Sequence, residues 1–346
     1  MIKRFGIIYA ILVTQLIAAP EGFSIVSSEG GVTVYTKLLK IKDAKPDYVQ
    51  EIDLSKGAKI KLLMGKIVDE RETWGKHDGR NPKIKRQSLQ QVWREAKENN
   101  NDTVCVTNGQ FFGTGGYPTT LAFPIKINGI DYDGYEEVDK DEHRVLNIGS
   151  NKVEINQFSY GDMSDLEKNA IVGFSTSANK SKNSNVGRTF IGIADKNEDG
   201  ISETILIFNS KYSTQKYAKK TLIAFGATDI MMLDGGASSQ LICNGTDYVS
   251  SSRTIPQSIA TIKAEKKTFS YRDKVDFVFD GLEKRHSFYF PKGSKTQKSG
   301  GNFYRTYKVR GKYHTLYAYN KKIYYNLGSG YKPYKSVDAW YNYFNR

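Results

Sequence analysis

The chain has 346 residues, with 51 Lys/Arg against 37 Asp/Glu and a net charge of +14. That length supports a substantial core, with one large domain and a smaller one. Only two cysteines and four scattered histidines are present, so no zinc-spaced Cys/His cluster exists; His77, His143, His286 and His314 form no motif and are expected on the surface.

Met1-Ile2-Lys3-Arg4 is a positive start followed by an apolar run from Phe5 to Ala19, with small residues at a cleavage position. Residues 1–24 are therefore expected to be a signal peptide and the protein secreted or periplasmic. No later run is long enough to span a bilayer, so the mature chain is expected to have no membrane span. Val32–Tyr35 and Asp47–Leu54 alternate in the strand period, and Ile60–Met64 begins another strand. Ser88 caps a predicted helix over residues 88–97, with Gln91 at the capping-box position and Leu89, Val92, Trp93 and Ala96 on its apolar face.

Thr103–Thr107 is a β-branched strand that ends in Asn108-Gly109-Gln110-Phe111-Phe112. Val186–Ile193 is a strand with Arg188 near its start. Asp195-Lys196-Asn197-Glu198-Asp199-Gly200 resembles the opening of a calcium loop, but Leu206 stands where the closing glutamate belongs. A β-hairpin turn between Phe190–Ala194 and Thr204–Phe208 is the better reading, with Asp195, Asn197 and Asp199 a weak calcium candidate and no other cofactor or metal expected. A second helix spans residues 214–225, stopped by Gly226, and feeds a buried strand at 229–233.

That strand ends in Asp234-Gly235-Gly236-Ala237-Ser238-Ser239. A carboxylate where a core strand surfaces, followed by glycines whose amides can approach a ligand, suits chemistry on an anionic, hydroxylated substrate. A tight turn capped by serine is the plainer alternative. Arg188 and Arg253 could clamp phosphate oxygens as bidentate forks, or serve structure only. Cys105 and Cys243 lie on predicted strands beside these motifs, and a bridge and two buried thiols both remain open.

Taken in order, Asn108–Phe112, Arg188–Gly192, Leu233–Ser238 and Arg253–Ala260 resemble the motifs of the phosphodiester glycosidase family, over residues 48–264. The resemblance implies an exported hydrolase cleaving a sugar-1-phosphodiester bond, of the N-acetylglucosamine-1-phosphodiester kind, in glycans or glycoconjugates. Asp234, Asn108 and Arg188 are then the expected catalytic residues, and Gly235, Gly236, Ser238, Ser239, Arg253 and Gln110 the substrate-binding ones. Gln110 and Ala237 replace glycines of the family pattern; an alanine forced to positive φ would reshape the pocket. The competing reading is a non-catalytic envelope or polysaccharide-binding protein on a degenerate form of the same fold. A serine hydrolase lacks its G-x-S-x-G here, and a nucleotide site lacks its phosphate loop.

Helix, glycine, buried strand and functional turn together suggest an α+β catalytic domain over 25–267, a mixed β-sheet with flanking helices. Residues 268–346 are expected to form a small aromatic-rich β module. Residues 269–346 hold 16 Lys/Arg against 5 Asp/Glu and 21 of the 43 aromatic residues. Phe303–Tyr319 alternates like a hairpin turning near Gly311, and Ile323–Tyr325 suggests a further strand. The expected partners are a phosphodiester-linked sugar or an anionic polysaccharide, with no nucleic acid.

Overall fold

The computed structural model describes residues 19–37, 45–69, 81–135, 142–265, 271–285, 295–300, 302–309, 312–326, 331–337 and 339–340. Residues 1–18 of the expected leader, His77, His286 and the turn near Gly311 lie outside them. The chain divides into two compact units, Met1–Glu265 and Lys266–Arg346.

In the first unit the larger sheet runs β1 (Ser24–Glu29), β2 (Val32–Lys37), β3 (Asp47–Asp53), β14 (Thr204–Ser213), β13 (Val186–Ala194), β15 (Asp229–Met232), β12 (Asn169–Ser175), β10 (His143–Ile148), β11 (Val153–Gln157). β8 (Ile125–Ile127) pairs with β12, and β9 (Ile130–Tyr132) with β8. The smaller sheet runs β17 (Thr246–Val249), β16 (Leu241–Cys243), β7 (Thr103–Asn108), β18 (Gln257–Ile262), β4 (Lys59–Met64). A short ribbon joins β5 (Ile67–Asp69) to β6 (Lys83–Ile84).

The central strands β13 and β14 are apolar on both faces, and alternate residues go to different cores. Ile191, Ile193, Ile205 and Ile207 face the smaller sheet, joining Val104, Val106, Ile242 and Ile259. Phe190, Ala194, Leu206 and Phe208 face the other way, joining Ala218 and Leu222 of helix α2 (Gln215–Ala224). Helix α1 (Leu89–Asn99) covers β7, with Ser88 Oγ accepting the Gln91 N–H; the Gln91 side chain turns to Glu95 instead of closing the capping box.

The fold is thus mainly β, correcting the expected α+β architecture with a mixed sheet. Every pair of neighbouring strands described is antiparallel. The helix–glycine–strand signal is real: α2 is capped by Thr214, ends before Gly226 at φ +91°, and carries the chain from β14 to β15. Those two strands point the same way, but β13 lies between them and is antiparallel to both. The crossover therefore produces no parallel neighbours.

One further expectation changes: His143 and His314 are buried, not on the surface. Phe23 packs edge-on against Phe225 at 5.0 Å, and Ser24 opens β1. Among the described residues no helix is long and apolar enough to cross a membrane.

Cys105 and Cys243 stand directly opposite on β7 and β16, with Cα atoms 4.0 Å apart, and form a disulfide. The bridge ties the strand ending in Asn108 to the strand that follows the Asp234 turn. With a sequence separation of 138 between its ends, its removal in a Cys105→Ser/Cys243→Ser double variant should lower stability by about 2–5 kcal/mol in urea unfolding. Free alkylation of both thiols before reduction would show that the bridge does not form.

The second unit packs helix α3 (Tyr271–Arg285) on an antiparallel meander of β19 (Gln297–Ser299), β20 (Asn302–Val309), β21 (Lys312–Tyr319), β22 (Lys322–Asn326) and β23 (Tyr331–Ser336). The hairpin and the added strand match the sequence expectation. The helix does not, although Val275, Val278, Phe279 and Leu282 carry its period and fill the core with Phe303, Tyr307 and Leu316. Arg305 crosses this core to Asp276, Asp280 and Glu283 on α3, and the Tyr307 hydroxyl donates to Glu283.

Candidate functional site

β15 brings the chain out of the larger sheet at Asp234, and a short 3-10 turn over Gly236–Ser238 delivers it to β16 in the smaller one. The end of β7 meets this crossing segment. Asp234 N–H donates to Gly109 O at 3.1 Å, and Asn108 Nδ2 donates to Asp234 O at 2.7 Å. The main chain of Asp234 is therefore held on both sides by Asn108 and Gly109, independently of its carboxyl group.

Asn108 is fully enclosed and its amide is committed. Its Oδ1 accepts from Thr189 Oγ1 at 2.8 Å and from Gln240 N–H at 3.1 Å. Thr189 Oγ1 in turn accepts from Asn209 Nδ2 at 3.3 Å, and Asn209 also donates to Thr107 Oγ1 at 2.8 Å. Gln50 donates to Asn209 Oδ1 at 3.4 Å and accepts from Thr261 at 2.9 Å. This chain of neutral polar groups runs between the two sheets and fixes which way the Asn108 amide faces. Strand periodicity hides it, because threonine, asparagine and glutamine on a strand look like solvent-facing positions.

A cleft of about 230 Å³ opens at Asp234, lined by Phe111, Lys180, Ser181, Val186, Arg188, Phe190, Met232, Leu233 and the glycines 235 and 236. Asp234 is the one carboxylate among these lining residues. The Lys180 ammonium lies 4.4 Å from the Phe174 ring centre and 5.5 Å from that of Phe111. Sequence reasoning missed Lys180, which sits in a Ser/Asn/Lys loop with no periodicity to mark it.

The glycines are required by close backbone approach. A Cβ on Gly187 would lie 2.0 Å from Gly236 O, and one on Gly235 2.7 Å from Gly187 O. The turn thus lies directly on the start of β13. Positive φ falls on Gly236, at +61°, and Ala237 sits in the 3-10 turn with no such demand, so alanine there is unstrained.

Arg188 lines the cleft, but its hydrogen bonds go to the protein. Nε donates to Ser213 O, Nη1 to Lys180 O, and Nη2 to Ser181 O and Ser184 O, at 2.6–3.1 Å. Burial pulls its pKa below the ordinary arginine value. It holds the loop that carries Lys180 and lends the cleft positive charge, instead of presenting a free fork. Replacing it by lysine removes the planar donor set, and Arg188→Lys should cost about 1–3 kcal/mol and speed amide exchange over residues 180–184. Wild-type melting and exchange in that variant would contradict this role.

The other expected site residues are distributed around the turn. Gln110 faces away from the cleft: its side chain accepts from Phe123 N–H at 3.0 Å and its amide nitrogen lies 3.5 Å from Pro124 O. Ser238 is buried and its hydroxyl has no hydrogen-bond partner among the described residues, while Ser239 Oγ lies 3.3 Å from Thr189 Oγ1. Arg253 stands over the Phe112 ring at 5.2 Å and does not line the Asp234 cleft. Gln240 ties the region together, donating to Ser238 O and Arg253 O at 3.3 and 3.0 Å.

Asp195, Asn197 and Asp199 form the turn of the β13–β14 hairpin. Their side-chain oxygens accept the N–H groups of Asp199, Gly200 and Ile201 at 2.7–3.2 Å. Among the described residues no three His, Cys, Asp or Glu side chains are grouped to hold a metal ion.

No family model matches the chain, and no curated protein matches it. Solved structures similar to it include the catalytic domain of zebrafish N-acetylglucosamine-1-phosphodiester α-N-acetylglucosaminidase, auto-inhibited by its pro-peptide. That likeness has 13% identity, covers 70% of this chain and 82% of that one, and has a TM-score of 0.46. A hypothetical protein from Synechocystis has 12% identity, 70% and 64% coverage and a TM-score of 0.43. A protein described as exported, from Burkholderia pseudomallei K96243, has 11% identity, 63% and 74% coverage and a TM-score of 0.36. These are remote likenesses of fold and carry nothing about chemistry.

Proposed function

We propose that the chain is an exported hydrolase that cleaves a sugar-1-phosphodiester bond at the Asp234 cleft. The observation that carries this reading is the placement of one carboxylate, on a turn clamped through its backbone, in a cleft shared with Lys180 and the buried Arg188. Cations draw in a phosphodiester, and the carboxylate supports positive charge growing at the sugar C1. The leaving group is a phosphate monoester, a stable anion, so it needs less protonation than an ordinary glycosidic oxygen. Water adds its oxygen to C1, the C1–O bond breaks, the phosphate monoester departs with the bonding pair, and Asp234 takes the water's proton.

In this reading Lys180 is the phosphate contact, Arg188 the fixed charge behind it, and the amides of Gly235 and Gly236 lie along the cleft wall. The non-catalytic alternative drew its support from Gln110 and Ala237. Gln110 turns away from the cleft and Ala237 is unstrained, so neither departure counts against a working site. The test is incubation with a panel of sugar-1-phosphodiesters, with free sugar and sugar-1-phosphate assayed separately. Free sugar supports the proposal; sugar-1-phosphate alone means P–O cleavage, and neither product across the panel ends it.

A further inference from the structure

In the second unit, side chains of the meander alternate between two faces. Phe303, Arg305, Tyr307, His314, Leu316, Ala318 and Ile323 are buried on the α3 side. The opposite face carries Tyr304, Tyr317 and Tyr324, which stand directly across from one another on β20, β21 and β22. Tyr319 extends the row along β21, its ring parallel to Tyr317 within 7° at 6.1 Å and 6.5 Å from that of Tyr324. Tyr313 and Tyr319 are 62% and 50% exposed.

Charge is segregated in the same way. Lys308 pairs across from Tyr313 and Lys322 across from Tyr319 on this face, whereas Asp273, Asp276, Asp280 and Glu283 all lie on α3. Arg305 engages three of those four carboxylates. Burial opposes the charge on Arg305, yet the hydrogen bonds to Asp280 and Glu283 outweigh it and raise its pKa, so the group stays paired. No carboxylate occupies the tyrosine face among the described residues.

We propose that this face binds an acidic polysaccharide, with sugar rings lying on the tyrosines and acidic groups meeting Lys308 and Lys322. Flat aromatic rings stack on the C–H faces of sugars, tyrosine and threonine hydroxyls hydrogen-bond to polyols, and lysines attract the polyanion. Stacked bases are the rival occupant. The Cys105–Cys243 disulfide favours the glycan, because such bonds persist in oxidising compartments, where polyanions are chiefly glycans.

The test is co-sedimentation of the full-length chain with polygalacturonate, neutral dextran and poly(dT), at low and high salt. Polygalacturonate should bind with salt-weakened affinity and dextran should not. Tyr317→Ser and, separately, the more exposed Tyr319→Ser should each weaken binding about tenfold. Lys308→Gln/Lys322→Gln should flatten the salt dependence while the melting curve is unchanged. Tighter binding to poly(dT), equal binding to dextran, or full retention by both folded tyrosine variants overturns the proposal. Full-length Asp234→Asn should bind polygalacturonate as the wild type does, so a failure of this proposal is distinguishable from a failure of the proposed hydrolase activity.

Discussion

Asp234→Asn should lower the release of free sugar from a sugar-1-phosphodiester by about 10²–10⁴-fold, the range expected for loss of a positioned acid–base group. The main chain of Asp234 is held by Gly109 O and Asn108 Nδ2, and asparagine keeps both of these contacts. The substitution also keeps side-chain volume and removes only charge. The check is initial-rate measurement beside a thermal melt. Near wild-type turnover in a folded variant would remove Asp234 from the chemistry and end the proposed mechanism.

Gly187→Ala should be among the most damaging small substitutions in the first unit. Its Cβ would lie 2.0 Å from Gly236 O and 2.9 Å from Ser239 Cβ, so backbone has to move. The turn has little room to retreat, since Asp234 and Gln240 at its two ends are pinned by Asn108 and Gly109. Overpacking of this kind costs about 1–3 kcal/mol or more, and here the strain falls on the turn carrying the carboxylate. We expect both a lower melting temperature and near-complete loss of turnover, measured on soluble protein at a temperature where the variant is folded. A Gly187→Ala protein with unchanged melting and rate would mean that the turn does not lie against β13. Gly236→Ala makes a useful contrast: nothing lies within 4 Å of its Cβ, so strain at φ +61° alone should produce a milder effect.

Much of the local architecture can be read along the chain. Ser88 and Thr214 cap helices because a hydroxyl before an apolar 3.6-residue pattern supplies the acceptor that the first turn lacks. The Asp195–Gly200 hairpin is legible because its oxygens bond to amides a few residues on. The period of α3 at 275, 278, 279 and 282 is equally local, but it lies in a segment rich in tyrosine and phenylalanine, residues that favour strands. Segments of Phe303–Tyr325 revealed their strand period, and the structure pairs them in that order.

The candidate site divides along the same line. That Asp234 would surface at the end of a buried strand beside glycines follows from residues 230–236 alone. The sequence could not say how Arg188 would be used. Four of its donors are taken by carbonyls the fold brings near, those of Lys180, Ser181, Ser184 and Ser213. Gln110 is turned toward Phe123 for the same reason, and the loop carrying Lys180 is held at the cleft by Arg188 and Gln215.

Helices α1 and α2, about half of the described strands, and the order in which chemistry-bearing segments follow one another were thus legible in the residues themselves. Each of those depends on interactions within a few residues. Tertiary structure alone decided that β13 would lie between β14 and β15 and keep the sheet antiparallel, and that Cys105 would face Cys243. It also decided that Asn108 would hold the main chain of Asp234 through a buried polar relay. These outcomes depend on partners far apart in the chain, since a hydrogen-bond donor or a strand edge is satisfied by whichever group folding places beside it.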